Sequence, residues 1–155
     1  MSNKTNNKPA VILLVEDNPA DQRLTLKALE NTKVRIDLRI ANDGQEALEY
    51  LQRLNQFSDP MSSPFPDLII LDMNMPKMNG KEFLRAMRAI PEFKIIPVIM
   101  FSTSEQEPDI VESYQLGVNA YVTKPVDIKG FYDVFAKLED FWLKISILPT
   151  KASIV

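Results

Sequence analysis

Four stretches of this chain end in side chains able to do chemistry. Glu16 and Asp17 follow an apolar run, Ala10–Val15. A lone acid, Asp72, follows Leu68–Leu71. Three hydroxyls, Ser102, Thr103 and Ser104, close the run 97–102. Lys124, followed by Pro125, closes Ala120–Thr123. The chain holds no histidine and no cysteine, so the commonest general base, transition-metal ligand and thiol nucleophile are all missing. Chemistry is left to carboxylates, hydroxyls, lysines and backbone, a donor set that suits hard cations such as Mg²⁺. If the four runs are parallel strands, their ends meet at one rim of a sheet. Glu16, Asp17 and Asp72 would then repel one another and raise each other's pKa unless a cation balanced them. Mg²⁺ would do so while keeping several of its waters. Lys124 and Ser102 would stand where an anion could be held, by a point charge and a hydroxyl. That combination describes a phosphoryl-acceptor site in which an Asp72 oxygen attacks and the cations neutralise the transferring group.

The elements that must position these groups are legible in the pattern. Ala10–Val15 and Leu68–Leu71 are unbroken apolar runs, the signature of strands covered on both faces of a parallel sheet. Asn18-Pro19 supplies a helix cap and a first-turn proline, predicting a helix over Pro19–Glu30. Residues 34–41 alternate, with Ile36, Leu38 and Ile40 opposite Arg35, Asp37 and Arg39, as at a charged sheet edge. Asn42-Asp43-Gly44 turns into a second helix over 44–54. The proline- and serine-rich segment 55–66 reads as an ordered or semi-ordered loop, long for its place between helix and strand. Asn79-Gly80 opens a third helix, 80–90. A fourth, 108–116, is stopped by Gly117. Asp127 caps a last helix over 128–143, whose Phe131, Val134, Phe135, Leu138, Phe141 and Trp142 form an apolar stripe. Five strands alternating with five helices imply a parallel α/β sheet with right-handed crossovers and helices on both faces.

Composition narrows the function. At 155 residues the chain makes about one domain. Its net charge of −3 argues against nonspecific nucleic-acid binding. No apolar run approaches ~18 residues, so no membrane span is expected, and residues 1–9 lack the apolar core of a signal peptide. A cytoplasmic location is the expectation.

Five segments together resemble the response-regulator receiver domain of two-component signalling: Leu-Val-Glu-Asp-Asn (14–18), Leu-Asp-Met-Asn-Met-Pro-Lys-Met-Asn-Gly (71–80), Met-Phe-Ser-Thr-Ser (100–104), Gly-Val-Asn-Ala-Tyr-Val-Thr-Lys-Pro (117–125) and the final amphipathic helix. The resemblance spans about residues 10–143, with a polar tail at 1–9 and an extension at 144–155. It implies a flavodoxin-like (βα)5 three-layer sandwich with sheet order 2-1-3-4-5. It implies that Asp72 is the phosphoacceptor. Mg²⁺ would be held by the acid pair Glu16 and Asp17, by Asp72 and by the Asn74 backbone carbonyl. Ser102 would be the switch hydroxyl, Tyr121 the switch aromatic and Lys124 the phosphoryl partner, with the Lys124–Pro125 peptide cis. Asn74 and Ser104 would tune hydrolysis of the phosphoryl group. The long 55–66 segment and the Phe141-Trp142-Leu143…Leu148-Pro149 ending resemble the stand-alone regulators of cyanobacterial and bacterial phytochromes. That likeness implies a phytochrome-type sensor histidine kinase as partner. It also implies a homodimer through the face of the fourth helix, fifth strand and fifth helix, together with the C-terminal extension.

Taken singly, these residues have plainer roles. Asp72 could cap a turn, Lys124 could be a surface lysine, Ser102 a loop cap and Tyr121 an edge aromatic. Met73, Met75 and Met78 read as packing. Trp142 is divided between core cover and dimer contact, and 55–66 reads as a tolerated insertion. Two other functions use the same residues: a phosphorylation-independent receiver-type adaptor, and an aspartate-nucleophile phosphohydrolase. The second is disfavoured because position 74 is Asn where such enzymes carry a second Asp, and because there is no cap domain.

Overall fold

The computed structural model describes residues 8–145 and 148–149. Five strands form one parallel sheet: β1 (Ala10–Val15), β2 (Ile36–Ala41), β3 (Leu68–Leu71), β4 (Val98–Ser102) and β5 (Ala120–Thr123), in the order β2-β1-β3-β4-β5. Register runs without a slip, with Val15 beside both Ala41 and Leu71 and Leu71 beside Met100. The expected flavodoxin-like order is therefore the one observed.

Strand side chains alternate between two cores. Leu13, Val15, Ile69, Leu71, Val98 and Met100 face α2 (Gly44–Gln52) and α3 (Gly80–Arg88), which contribute Ala47, Tyr50, Leu51, Phe83, Leu84 and Met87. Ile12, Leu14, Leu68, Ile70, Ile99 and Phe101 face α1 (Pro19–Glu30) and α5 (Ile128–Leu138), which contribute Ala28, Leu29, Phe131 and Phe135. Both faces of the central strands are thus covered, which is why their sequences are continuous apolar runs. Among the described residues the edge strand β2 pairs only with β1. Its Arg39 guanidinium folds back on Asp37 at 2.8 Å, a charged outer face against further pairing.

Helix starts follow the caps. Asn18 accepts from the Ala20 and Asp21 amides, Asp43 from Glu46, and Asp127 from Gly130. Asn79 and Glu82 form a reciprocal capping box. Gly117, at φ 112°, ends α4 (Glu107–Leu116) in the left-handed conformation that a side chain resists. Several ends differ from expectation: β2 begins at Ile36 rather than 34, α3 stops at Arg88 rather than 90, and two further ends have a visible cause. α2 stops at Gln52 rather than 54, because Arg53 takes φ 56° and turns its amide onto the Glu49 and Tyr50 carbonyls. An arginine carries no sequence signal for that conformation. The last helix does not run unbroken to 143: α-helical bonding ends at Leu138 and the chain continues as a π-helix, Glu139–Ile145. The wider turn leaves Phe141 exposed and lays Trp142 and Leu143 against the α1/α5 core, so Trp142 is core cover. The buried Glu139 carboxylate accepts the Lys33 and Val34 amides at 2.8 and 2.9 Å, tying this turn to the approach to β2.

Segment 55–66 is ordered. It holds a short 3-10 turn, Asn55–Phe57, and is pinned where the Tyr50 hydroxyl donates to the Pro64 carbonyl at 2.7 Å and Arg39 to the Ser62 carbonyl at 2.7 Å. The polar tail, apart from its last two residues, and most of the 144–155 extension lie outside the described residues. Among the described residues, no helix is long and apolar enough to cross a membrane.

Candidate functional site

The carboxyl ends of β1, β3 and β5 converge on a cavity of about 380 Å³ lined by Glu16, Asp17, Asn18, Pro19, Asp21, Asp72, Asn74, Thr103 and Lys124. Local bonds place each wall. The Asp72 amide donates to the Val15 carbonyl at 2.9 Å, extending the β1–β3 ladder one residue past the end of β3. The Glu16 amide does the same onto Ala41 at 3.0 Å, and the Gln22 side chain holds the Glu16 carbonyl at 2.6 Å. Gly80, first residue of α3, lies so close to the Asp72 carbonyl and Met73 that a Cβ there would collide with both. The absence of a side chain lets α3 pack directly beneath the acid. The Lys124 amide donates to the Ser102 carbonyl at 2.7 Å, which carries β5 far enough for its side chain to cross into the cavity.

Carboxylate oxygens of Glu16, Asp17 and Asp72 lie within 4.8 Å of one another, close enough to share one cation. Glu16 and Asp72 are buried, Asp17 exposed. The Lys124 ammonium donates to Glu16 Oε1 at 2.9 Å, Asp21 Oδ2 at 3.0 Å and Asp72 Oδ1 at 3.4 Å. Burial, and then the charge of Asp72, push the Glu16 carboxyl up to about 7 against the partial relief of Lys124. Burial likewise raises Asp72, although Lys124 opposes it. Burial alone would lower Lys124, but its bond to Glu16 and the charges of Asp72 and Glu16 outweigh that and hold it protonated above the ordinary lysine range. One ammonium among four carboxylates leaves negative charge in excess. The donors are all hard oxygens, with Asp17 open to solvent. This set fits a divalent hard cation.

The predicted residues divide into two groups. Glu16, Asp17, Asp72, Asn74 and Lys124 share the cavity. Ser102 is fully buried beside it, its Oγ accepting the Ser104 amide at 3.1 Å, and Thr103 takes the lining position. Tyr121 lies outside the cavity, half-buried, its hydroxyl donating to the Ser104 carbonyl at 2.9 Å. The Ser104 side chain, expected to tune hydrolysis, donates to Asp109 Oδ2 at 2.6 Å and does not line the cavity. Asp109 in turn pairs with Lys81 of α3 at 2.8 Å. The Lys124–Pro125 peptide, expected cis, is trans; trans is the ordinary preference of an X–Pro bond, by about 0.5–1 kcal/mol. Sequence reasoning missed Asp21. Nothing local tied it to the site: an acid in the first turn of α1 is the ordinary complement of a helix N-terminus, and its bond to Lys124 joins residues more than a hundred positions apart.

A family model for the response regulator receiver domain matches residues 12–135. The response regulator Rcp1 of Synechocystis sp. is 41% identical over 143 residues, spanning 92% of this chain and 95% of Rcp1. Among solved structures, a Mn²⁺-bound form of Rcp1 superposes with a TM-score of 0.84 at 40% identity, covering 91% of this chain and 99% of that one. The phosphorylated cyanobacterial phytochrome response regulator RcpA gives 0.86 at 40% identity, covering 92% and 99%.

Proposed function

The chain belongs to the response regulator receiver family, and from that membership we propose that it takes a phosphoryl group onto Asp72 from a phosphohistidine of a sensor kinase and signals while the group remains. The observation that carries the reading is the three-carboxylate cluster, two of whose members, Glu16 and Asp72, the Lys124 ammonium bridges. An Asp72 oxygen attacks phosphorus as the phosphorus–nitrogen bond of the donor breaks. The imidazole leaves with the bonding pair and takes a proton from solvent. Lys124, already 3.4 Å from Asp72, neutralises charge on the transferred oxygens. Glu16, Asp17, Asp72 and the Asn74 carbonyl would hold Mg²⁺, which when bound supplies further charge neutralisation at the same centre. Hydrolysis of the acyl phosphate returns the resting state.

Ser102 is buried next to the cavity, and its hydroxyl is the group that the bound phosphoryl would draw in. Tyr121 bonds the carbonyl of Ser104, two residues away, so movement of this loop re-biases the tyrosine. The output face is α4, β5 and α5, where Val111, Tyr114 and Ile128 are exposed. A second copy docks there. The likeness to the phytochrome response regulator RcpA supports a phytochrome-type kinase as the donor. The test is labelling by acetyl phosphate and by candidate kinases in Mg²⁺. Asp72→Asn is expected to abolish labelling while keeping the thermal transition; stoichiometric labelling of that variant refutes the assignment. Dimer mass with and without beryllofluoride then distinguishes a phosphorylation-driven switch from a constitutive adaptor.

A further inference from the structure

Asp21 has no part in the reaction above, yet it makes one of the shortest contacts in the site. The Lys124 ammonium carries three N–H donors, and three carboxylates occupy them: Glu16 at 2.9 Å, Asp21 at 3.0 Å and Asp72 at 3.4 Å. A phosphoryl oxygen on Asp72 can replace the long Asp72 contact, but to bond it closely the ammonium must move away from one of the two short contacts that hold it, Glu16 or Asp21. Glu16 is a poor candidate. Its side chain is 3% exposed, and without the lysine it keeps, among the described residues, only the Asn18 amide, at 3.1 Å. A buried carboxylate stripped of its cation is costly. The Asp21 side chain is 23% exposed, at the solvent edge of the first turn of α1, so water can replace the lysine there at little cost. The Asp72 contact is the longest of the three, which shows where the ammonium is held in the resting protein.

We propose that Asp21 is a positioning residue that competes with the phosphoryl group for the Lys124 ammonium, and so sets how readily the site accepts an anion. The inference rests on Asp72 being the phosphoacceptor. It has a consequence that general disturbance of the pocket does not share. A carboxylate at this distance repels an arriving anion and attracts a divalent cation, so neutralising it moves the two affinities in opposite directions.

The experiment uses the full chain and its Asp21→Asn variant, which keeps size and an acceptor oxygen but removes the charge. Beryllofluoride binding is titrated at saturating Mg²⁺ by ¹⁹F NMR, and Mg²⁺ binding without anion by calorimetry, after thermal unfolding shows that both proteins are folded. The expected result is half-saturation at about five- to tenfold lower beryllofluoride, with Mg²⁺ bound about two- to fivefold more weakly. An unchanged or weakened beryllofluoride affinity overturns the inference; weakening of both ligands together is the mark of a loosened pocket. If the wild-type chain itself binds no beryllofluoride, the phosphoacceptor assignment fails first and takes this inference with it.

Discussion

Glu16→Gln tests the electrostatics on which the whole site rests. In the folded protein the Glu16 carboxyl titrates at about 7 rather than its ordinary 4.5, chiefly from burial and then from repulsion by Asp72. The folded state therefore keeps a proton that the unfolded chain has already lost over that interval. Stability from this group is fully present below about pH 4.5 and is lost as pH rises through about 7. Each factor of ten in affinity for the proton is worth about 1.4 kcal/mol, so the total is about 3 kcal/mol, of which about 2 falls between roughly pH 5 and pH 7.5. Glutamine has nearly the same shape and no titration. It also loses a charge-assisted bond to Lys124, but that offset does not create the pH dependence. Urea unfolding in metal-free buffer, followed by circular dichroism, reads the effect directly. With a slope of roughly 2 kcal/mol per molar urea, the wild-type midpoint should fall relative to the variant by about 1 M across that pH range. Saturating Mg²⁺ should abolish most of the difference, because a bound cation balances the ionised carboxylate. If the two midpoints move in parallel from pH 5 to 7.5 without metal, the assigned burial and repulsion at Glu16 are wrong.

Three further outcomes follow from the same geometry. Lys124→Met should lower stability by about 3–5 kcal/mol in metal-free buffer at neutral pH, since buried Glu16 and Asp72 lose the cation that both contact; thermal unfolding would show it. Gly80→Ala should cost about 1–3 kcal/mol and also slow acetyl phosphate labelling, because the new methyl group forces the Asp72 carbonyl away from α3; chemical unfolding and a labelling time course measure the two effects. Phe135→Ala removes a fully buried ring that meets Phe101 and Phe131, and should cost about 3–5 kcal/mol while leaving labelling of the folded fraction intact, since the ring lies in the α1/α5 core.

Much of the architecture is legible because it depends on neighbours in sequence. Ala10–Val15 and Leu68–Leu71 are uniformly apolar because both faces of a central parallel strand are covered. Asn18, Asp43, Asn79 and Asp127 each mark a helix start by bonding an amide two or three residues on. Gly117 marks an end through its positive φ. The ends that went unread lack such local chemistry. Arg53 terminates α2 in a conformation that its side chain does not advertise. The π-helix after Leu138 is accompanied by a long-range bond, from Glu139 to the Lys33 and Val34 amides, more than a hundred residues away.

The site divides along the same line. Spacing and residue type were enough to bring Glu16, Asp17, Asp72 and Lys124 to one rim, because each closes a strand whose direction is set by the parallel sheet. Folding alone decided how those charges share their contacts: that Lys124 also takes Asp21, that Thr103 rather than Ser102 lines the cavity, and that Ser104 turns to Asp109. Such contacts depend on strand register and helix rotation to within about an ångström. Local propensity fixes the kind of element a segment forms, whereas that last ångström comes from two packed cores pressing the sheet from opposite sides.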